Sequence, residues 1–258
     1  MASLVFITGA SSGIGQSLAK RFYDAGYSLA LVARRTAEIE RWATTEGLDP
    51  QRFKVYNADV AETDSIVAAG RACLNAQGVP DVVVANAGIS IGMDTGVRGD
   101  IDVMQRTFAT NNIGLAATFH PFIAAMEQRG SGRLVGIGSV AGIRGLPGHG
   151  AYCASKAAVI AYCESLRGEL RESGVKVVTI CPGYIDTPLT RQNRYSMPFL
   201  MTADDFAARA FDAISQGVSY RVIPWQMGWV AKMLRALPNA LFDKVLAGRP
   251  RKRRIDDA

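Results

Sequence analysis

Residues Thr8-Gly9-Ala10-Ser11-Ser12-Gly13-Ile14-Gly15 follow directly on the apolar run Leu4-Val5-Phe6-Ile7. The glycines are spaced G-x-x-x-G-x-G where a short β-branched run gives way to a helical pattern. A chain at such a point must turn sharply, let a ligand approach its backbone and aim a helix N-terminus at it. Glycine permits the turn and the approach. The helix start supplies free N–H groups and partial positive charge suited to a diphosphate. A tight turn without a ligand could use the same glycines. The position straight after the first strand of a strand–helix series favours the nucleotide.

Outward from this turn, short apolar runs alternate with longer helical patterns. Segments 4–7, 28–33, 52–56, 81–85, 133–137, 175–181 and 220–223 are bounded by Gly, Pro, Asp or Asn and read as strands. Helices are expected over about 13–26, 36–47, 62–77, 100–129, 150–173 and 202–216. Strands that are apolar throughout, each followed by a helix, imply an α/β fold with a parallel sheet covered on both faces. One domain is expected over 1–248, with a helical extension from about 225 and a basic, disordered tail at 249–258. The stretch 184–201 has no clear pattern, and a loop of that length in a compact domain is usually functional.

Composition narrows the function classes. The 258 residues are 48% hydrophobic and 20% charged, which excludes a disordered chain and a coiled coil. Four cysteines without a C-x-x-C pair exclude a disulfide scaffold, and with only His120 and His149 no metal site is expected. The net charge of +6 is mostly local, because 249–254 holds five basic residues and no acid. A nucleic-acid partner is therefore not expected. The first residues lack a signal-peptide pattern and no apolar stretch is long enough to span a membrane, so a cytoplasmic location is the expectation.

Four further motifs, in order, complete a resemblance. They are Asp59-Val60; Asn86-Ala87-Gly88; Asn111-Asn112-Ile113-Gly114; and Ser139 thirteen residues before Tyr152, itself four before Lys156. With the glycine turn, this set resembles the short-chain dehydrogenase/reductase superfamily along nearly all of residues 3–224. The resemblance implies a Rossmann-type, doubly wound, seven-stranded parallel sheet of order 3-2-1-4-5-6-7 with helices on both faces. It implies hydride transfer between a nicotinamide cofactor and a small carbonyl or alcohol substrate. Ala85 stands where the family has another Asn before the N-A-G turn.

The implied catalytic residues are Asn111, Ser139, Tyr152 and Lys156, with Asn112 the competing register for the asparagine. A phenol with a pKa near 10 is a poor acid or base at neutral pH, and a nearby ammonium lowers it. Lys156, one helical turn from Tyr152, is expected to supply that charge. Tyr152 then exchanges the proton with the substrate oxygen and Ser139 stabilises that oxygen. The resemblance gives Lys156 the nicotinamide ribose and Asn111 a water leading to solvent. It gives cofactor contact to Gly9, Ser11, Ser12, Gly13, Ile14, Gly15, Asp59, Val60, Asn86, Ala87, Gly88, Tyr152 and Lys156. Pro182, Gly183, Ile185 and Thr187 follow as a P-G-x-x-x-T segment at the carboxamide.

Ala33 stands where NAD-selective members carry an acid, and Arg34 and Arg35 follow. A guanidinium pairs well with a 2′-phosphate, so NADP is expected rather than NAD. The apolar run 197–201 tilts the substrate toward a hydrophobic or acyl, lipid-like carbonyl. A sugar-nucleotide epimerase and an NADP(H)-binding sensor without turnover are the alternatives. His149 is a candidate substrate contact, and Arg191, Arg194 and Tyr195 lie in the loop beside it.

A homodimer or homotetramer is expected through 100–129 and 150–173, where Ile113, Leu115, Phe119, Phe122, Val159, Ile160, Tyr162 and Leu166 exceed one sheet-facing stripe. In 225–254, Trp229, Val230, Met233, Leu234 and Leu237 form one stripe and Leu241, Phe242, Val245 and Leu246 another, ahead of the basic cluster. Packing over the substrate pocket or another subunit competes there with peripheral membrane association.

Overall fold

In the computed structural model, which describes residues 3–191, 193, 195–248 and 250–254, strand β1 (Leu4–Thr8) is buried at every position. Leu4 and Phe6 enter one apolar layer; Val5 and Ile7 enter the other. The period of two along a strand sends neighbours to opposite faces. A strand with no polar side must therefore be covered twice.

The remaining strands are β2 (Ser28–Ala33), β3 (Phe53–Asn57), β4 (Val82–Ala85), β5 (Gly132–Ile137), β6 (Val175–Pro182), the short pair β7 (Ile185–Asp186) and β8 (Met201–Thr202), and β9 (Tyr220–Ile223). Seven form one parallel sheet in the order β3-β2-β1-β4-β5-β6-β9. Helices α1 (Gly13–Asp24), α2 (Thr36–Thr45) and α7 (Ala203–Ser215) bring Leu18, Phe22, Ile39 and Phe206 to one face. Helices α3 (Thr63–Gln77), α5 (Gly114–Arg129) and α6 (Gly150–Glu169) bring Ile66, Phe119, Phe122, Val159 and Leu166 to the other. This is the doubly wound Rossmann-type arrangement.

Several expected boundaries move. Pro50–Arg52 forms a short 3-10 turn, so β3 starts one residue late, and Arg52 instead donates to the Tyr23 and Tyr27 carbonyls. The helix expected over 100–129 is three pieces: α4 (Asp100–Phe108), a wide π turn Ala109–Ile113, and α5. The patternless loop 184–201 is closed at its base by the parallel pair β7–β8, whose two-residue strands are too short for any periodicity to announce.

The apolar surplus of the long helices is largely core. Leu115, Phe119, Phe122, Val159 and Leu166 are buried within one protomer, and Ile113, Tyr162 and Met104 remain exposed. Beyond β9 lie α8 (Trp225–Ala236) and α9 (Asn239–Leu246), separated by Pro238. Met227, Ala231 and Phe242 are buried, whereas Trp225, Trp229 and Met233 stand 64%, 61% and 68% exposed. The inward face of α8 is thus one of small or flexible residues, not the tryptophan stripe. Among the described residues, no helix is long and apolar enough to cross a membrane.

The tail departs from its expected disorder over 250–254; Arg249 and 255–258 lie outside the described residues. Arg254 donates to both carboxylate oxygens of buried Asp100, at 2.6 and 3.2 Å. A carboxylate hidden from water needs a partner. Arg254 supplies it from 154 positions away, a separation that no local pattern reports.

Candidate active site

The C-terminal ends of the central strands open onto a cavity of about 660 Å³. The glycine turn lies at its floor. Gly9 has φ +68°, a conformation that favours glycine, and a Cβ there would sit 2.9 Å from Ala87 Cα. Thr8 Oγ1 accepts from the Asn86 and Ala87 N–H groups, while Asn86 Nδ2 donates to the Thr8 carbonyl at 2.9 Å. The glycine turn and the N-A-G turn therefore hold each other.

Gly9, Ser11, Ser12, Gly13 and Ile14 line the cavity, as do Arg34, Arg35, Asp59, Val60, Asn86, Ala87, Gly88, Pro182, Gly183, Ile185 and Thr187. Gly15 does not. It is buried against the Gly9 carbonyl, into which any Cβ would collide, so its service is close packing of α1 on the turn. Val32, Ala58, Ile89, Ile137, Gly138, Pro188, Leu189 and Thr190 also line the cavity; these were not singled out from the sequence. Most are apolar or glycine, indistinguishable by type from the core beneath. Thr190 carried a signal in its spacing from Thr187: its hydroxyl bonds the Ile185 carbonyl and takes the Thr187 N–H, closing the turn after β7.

At one end of the cavity Arg34 pairs with Asp59 at 3.3 Å, and Arg35 reaches Ser11 Oγ at 3.4 Å. Both guanidinium groups are exposed. At the other end Ser139, Tyr152 and Lys156 meet. Ser139 ends the strand path of β5, and its Oγ accepts the Ala141 N–H at 3.2 Å, which fixes the side chain. Lys156 donates to the Ile137 carbonyl at 2.8 Å, and its Nζ lies 5.9 Å from the Tyr152 ring centre.

Burial governs the ionisation of this group. It pushes the Tyr152 phenol up to about 12, against an opposing hydrogen bond from Ser139. It pulls the Lys156 ammonium down to about 8. The expected lowering of the Tyr152 phenol by Lys156 with the oxidised nicotinamide is not seen here, where desolvation of the phenolate is the largest influence.

Asn111 sits in the π turn, buried. Its Oδ1 accepts the Ile89 N–H at 2.8 Å, and its Nδ2 donates to the Ile89 carbonyl and to Ser155 Oγ. Asn112 turns to the Ser155 carbonyl instead. Asn111 is thus the asparagine whose amide clasps the segment following the N-A-G turn to the helix that bears Tyr152. A π turn inside an α-helix is frequent at functional sites.

On the substrate side, His149 precedes α6 and is buried. Its Nδ1 lies 3.1 Å from the Pro147 carbonyl and its Nε2 lies 3.3 Å from the Tyr195 hydroxyl. Burial holds its imidazole below the usual range. Arg191 pairs with Asp186 at 2.8 Å, a solvated loop pair, and Arg194 lies outside the described residues. The loop residues Phe199 and Leu200 are about half exposed, at 50% and 49%, and neither lines the cavity. Arg144 was missed by sequence reasoning. It donates to the Leu234, Arg235 and Leu237 carbonyls and to Asn239 Oδ1, and lies 3.7 Å over the Phe242 ring. A cation at a helix C-terminus complements its dipole, and this one ties α8 and α9 to the loop after Ser139.

The family profile described as short chain dehydrogenase matches residues 3–197. The chain belongs to the short-chain dehydrogenase/reductase family. An uncharacterized oxidoreductase from Myxococcus xanthus is 36% identical, over 92% of this chain and 93% of its own. Dehydrogenase/reductase SDR family member 7B of Mus musculus is 32% identical, over 98% and 82%. Among solved structures, a 3-ketoacyl-(acyl-carrier-protein) reductase from Brucella melitensis complexed with NADH superposes with a TM-score of 0.78 at 26% identity, covering 86% of this chain and 96% of that one. A short-chain dehydrogenase/reductase from Burkholderia phymatum in complex with NAD gives 0.80 at 23% identity over 89% and 92%. The chain is an oxidoreductase of a fold that binds nicotinamide cofactors.

Proposed function

We propose that this protein interconverts a carbonyl and an alcohol with NADP(H), in the direction of carbonyl reduction. The observation that carries the reading is the meeting of Ser139, Tyr152 and Lys156 at one end of a cleft whose other end presents Arg34 and Arg35. Bound cofactor supplies or receives the hydride. Tyr152, protonated across the physiological range, delivers its proton to the substrate oxygen. Ser139, held by the Ala141 N–H, points its hydroxyl at the same oxygen and stabilises the charge that develops there. Lys156 keeps one N–H on the Ile137 carbonyl and has two left for the cofactor ribose. Its positive charge also favours the phenolate left after transfer. Asn111 is a positioning residue, holding 89 and 155 in place.

Arg34 and Arg35 support NADP over NAD. No acid follows β2 to meet a 2′-hydroxyl, and both guanidinium groups are free to leave weak surface pairs for a phosphate, since exposed ion pairs are worth only about 0–1 kcal/mol. The apolar cavity residues Ile89, Ile185 and Leu189 support a hydrophobic or acyl carbonyl. Oxidation of NADPH, beside NADH, with a panel of ketones and aldehydes is the test. Binding of NADPH with no turnover on any of them would leave a cofactor sensor instead.

Self-association would use the face carrying exposed Met104, Ile113 and Tyr162. Light scattering at micromolar concentration is expected to give a dimer or tetramer, and a monomer would overturn it. Peripheral membrane attachment is the competing use of the exposed Trp225, Trp229 and Met233. The engagement of Arg251 and Arg254 with Asp94 and Asp100 draws charge away from that use.

A further inference from the structure

The described tail, 250–254, lies as a strap against Gly92, Asp94, Asp100, Gly148 and Asn193, beside the segment that leads into α6. Its far end is fixed by the two-point pair of Arg254 with buried Asp100. The Arg254 guanidinium and the Asp94 N–H hold the Asp100 carboxyl below the usual range. In the middle, the Gly92 N–H donates to the Arg253 carbonyl at 2.9 Å, and the strap lies so close that a Cβ on Gly92 would strike the Lys252 carbonyl. Arg251 packs on Gly148 and lies 3.8 Å from Asp94. Met93 bonds Gly148 through its N–H and lies against Gly150, so the surfaces under the strap are those that lead into α6 and Tyr152.

Lys252 differs from its neighbours. Asp94 and Asp100 are taken by Arg251 and Arg254. Among the described residues, Lys252 Nζ has one polar partner, the neutral Asn193 Oδ1 at 3.1 Å. It is half-buried, and burial lowers its affinity for its proton. Its ammonium is near enough to help keep His149 neutral. His149 in turn touches Tyr195, and Tyr195 lies close enough to Tyr152 for its own ionisation to feel that phenol. A half-buried cation whose polar partner among the described residues is neutral, beside the segment that leads to the proton donor, suits an anion.

We propose that the strap is a fixed wall of the substrate site and that Lys252 is its anion-binding residue, selecting carbonyl substrates that carry an anionic oxygen group beyond the reacting carbon. This deepens the carbonyl-reductase reading and rests on it for the word substrate. The anchor pair Arg254–Asp100 sets the strap, and Lys252 with Asn193 meets the ligand.

The test separates binding from turnover. The full chain, loaded with oxidised cofactor, is titrated calorimetrically with a homologous series of methyl-ketone carboxylates from levulinate upward, each beside its methyl ester. At the best chain length the acid binds about ten- to a hundredfold tighter than its ester, as a charge-assisted hydrogen bond gives. Lys252→Met erases that preference, Lys252→Arg retains most of it, and ester binding is unchanged in both. Asp100→Asn, which frees the strap without touching Lys252, also weakens the preference. No acid-over-ester preference at any length, or one that survives Lys252→Met, overturns the proposal. Acid-selective binding without reduction of any ketone overturns the reductase reading and leaves the anion site standing. Reduction of acids and esters with equal kcat/KM does the reverse.

Discussion

At the Arg34 end of the cleft the walls are made of backbone. The turns after β1 and β4 lock through Thr8 and Asn86, and glycine keeps side chains out of the space between them. Around the start of α6 the chain is held by side chains drawn from distant segments: Arg144 holding α8 and α9, His149 beside Tyr195, Arg254 on Asp100. A backbone wall fits whatever shares the cofactor's shape and changes little with sequence. A side-chain wall can be rebuilt residue by residue, which suits the part of the site that meets substrate.

That contrast can be broken most directly at the junction. Tyr152→Phe keeps the ring and removes the proton. A general acid contributes about 10²–10⁴-fold, so kcat should fall by that range while cofactor affinity, measured by fluorescence titration, changes little. Turnover within tenfold of the parent would remove Tyr152 from the chemistry. Next, Arg34→Asp sets an acid beside Asp59 at the backbone-walled end. NADPH affinity should drop roughly ten- to a hundredfold, with NADH affinity held or improved. Equal affinity of the unaltered protein for the two cofactors would count against the 2′-phosphate assignment.

A third measurement sharpens the comparison by pH. In the free enzyme Lys156 loses its proton near pH 8, whereas Tyr152, pushed up to about 12, stays protonated well beyond it. The kcat/KM for reduction reports free-enzyme ionisations. It should therefore hold below about pH 8 and fall as pH rises through it, as the ammonium is lost. In Lys156→Arg the limb should vanish at whatever rate remains; its persistence would assign it elsewhere. The smallest effect is expected at Arg144→Ala. Three helix-end carbonyls lose a donor and Phe242 loses its cation, at about 1–3 kcal/mol in all. Hydrogen exchange should quicken over 225–246 and stay unchanged in β1 and β4. Uniform loosening would mean that α8 and α9 are integral to the core.

The same contrast explains what the sequence could tell. The alternation of strands and helices and the glycine turn were legible because each is encoded by residues a few positions apart, in patterns fixed by strand and helix periods, whereas the sheet order and the roles of Ser139, Tyr152 and Lys156 came only with the family resemblance. Gly15 reads as a cofactor contact because it shares the motif; its packing against the Gly9 carbonyl is visible only in three dimensions. Periodicity cannot say how many layers cover a helix, so the stripes on α5 and α6 read as surplus, whereas Leu115, Phe119 and Val159 are core. The tail was expected to be free because five basic residues in a row resemble a solvated run. What holds it is a carboxylate on α4, and a charge pair across 154 residues leaves no trace in local composition.

The π turn at 109–113 has a consequence for insertions and deletions. An α-helix advances about 100° per residue, so one extra residue in the turn sets the azimuth of α4 relative to α5. Excising a residue there would let the two helices run on as one and would swing α4 by that angle. Asn111 would leave Ile89, and Asp100 would leave Arg254. A single-residue indel between Phe108 and Gly114 would thus detune the proton-donor helix and the strap together, although the two clasps share no atom.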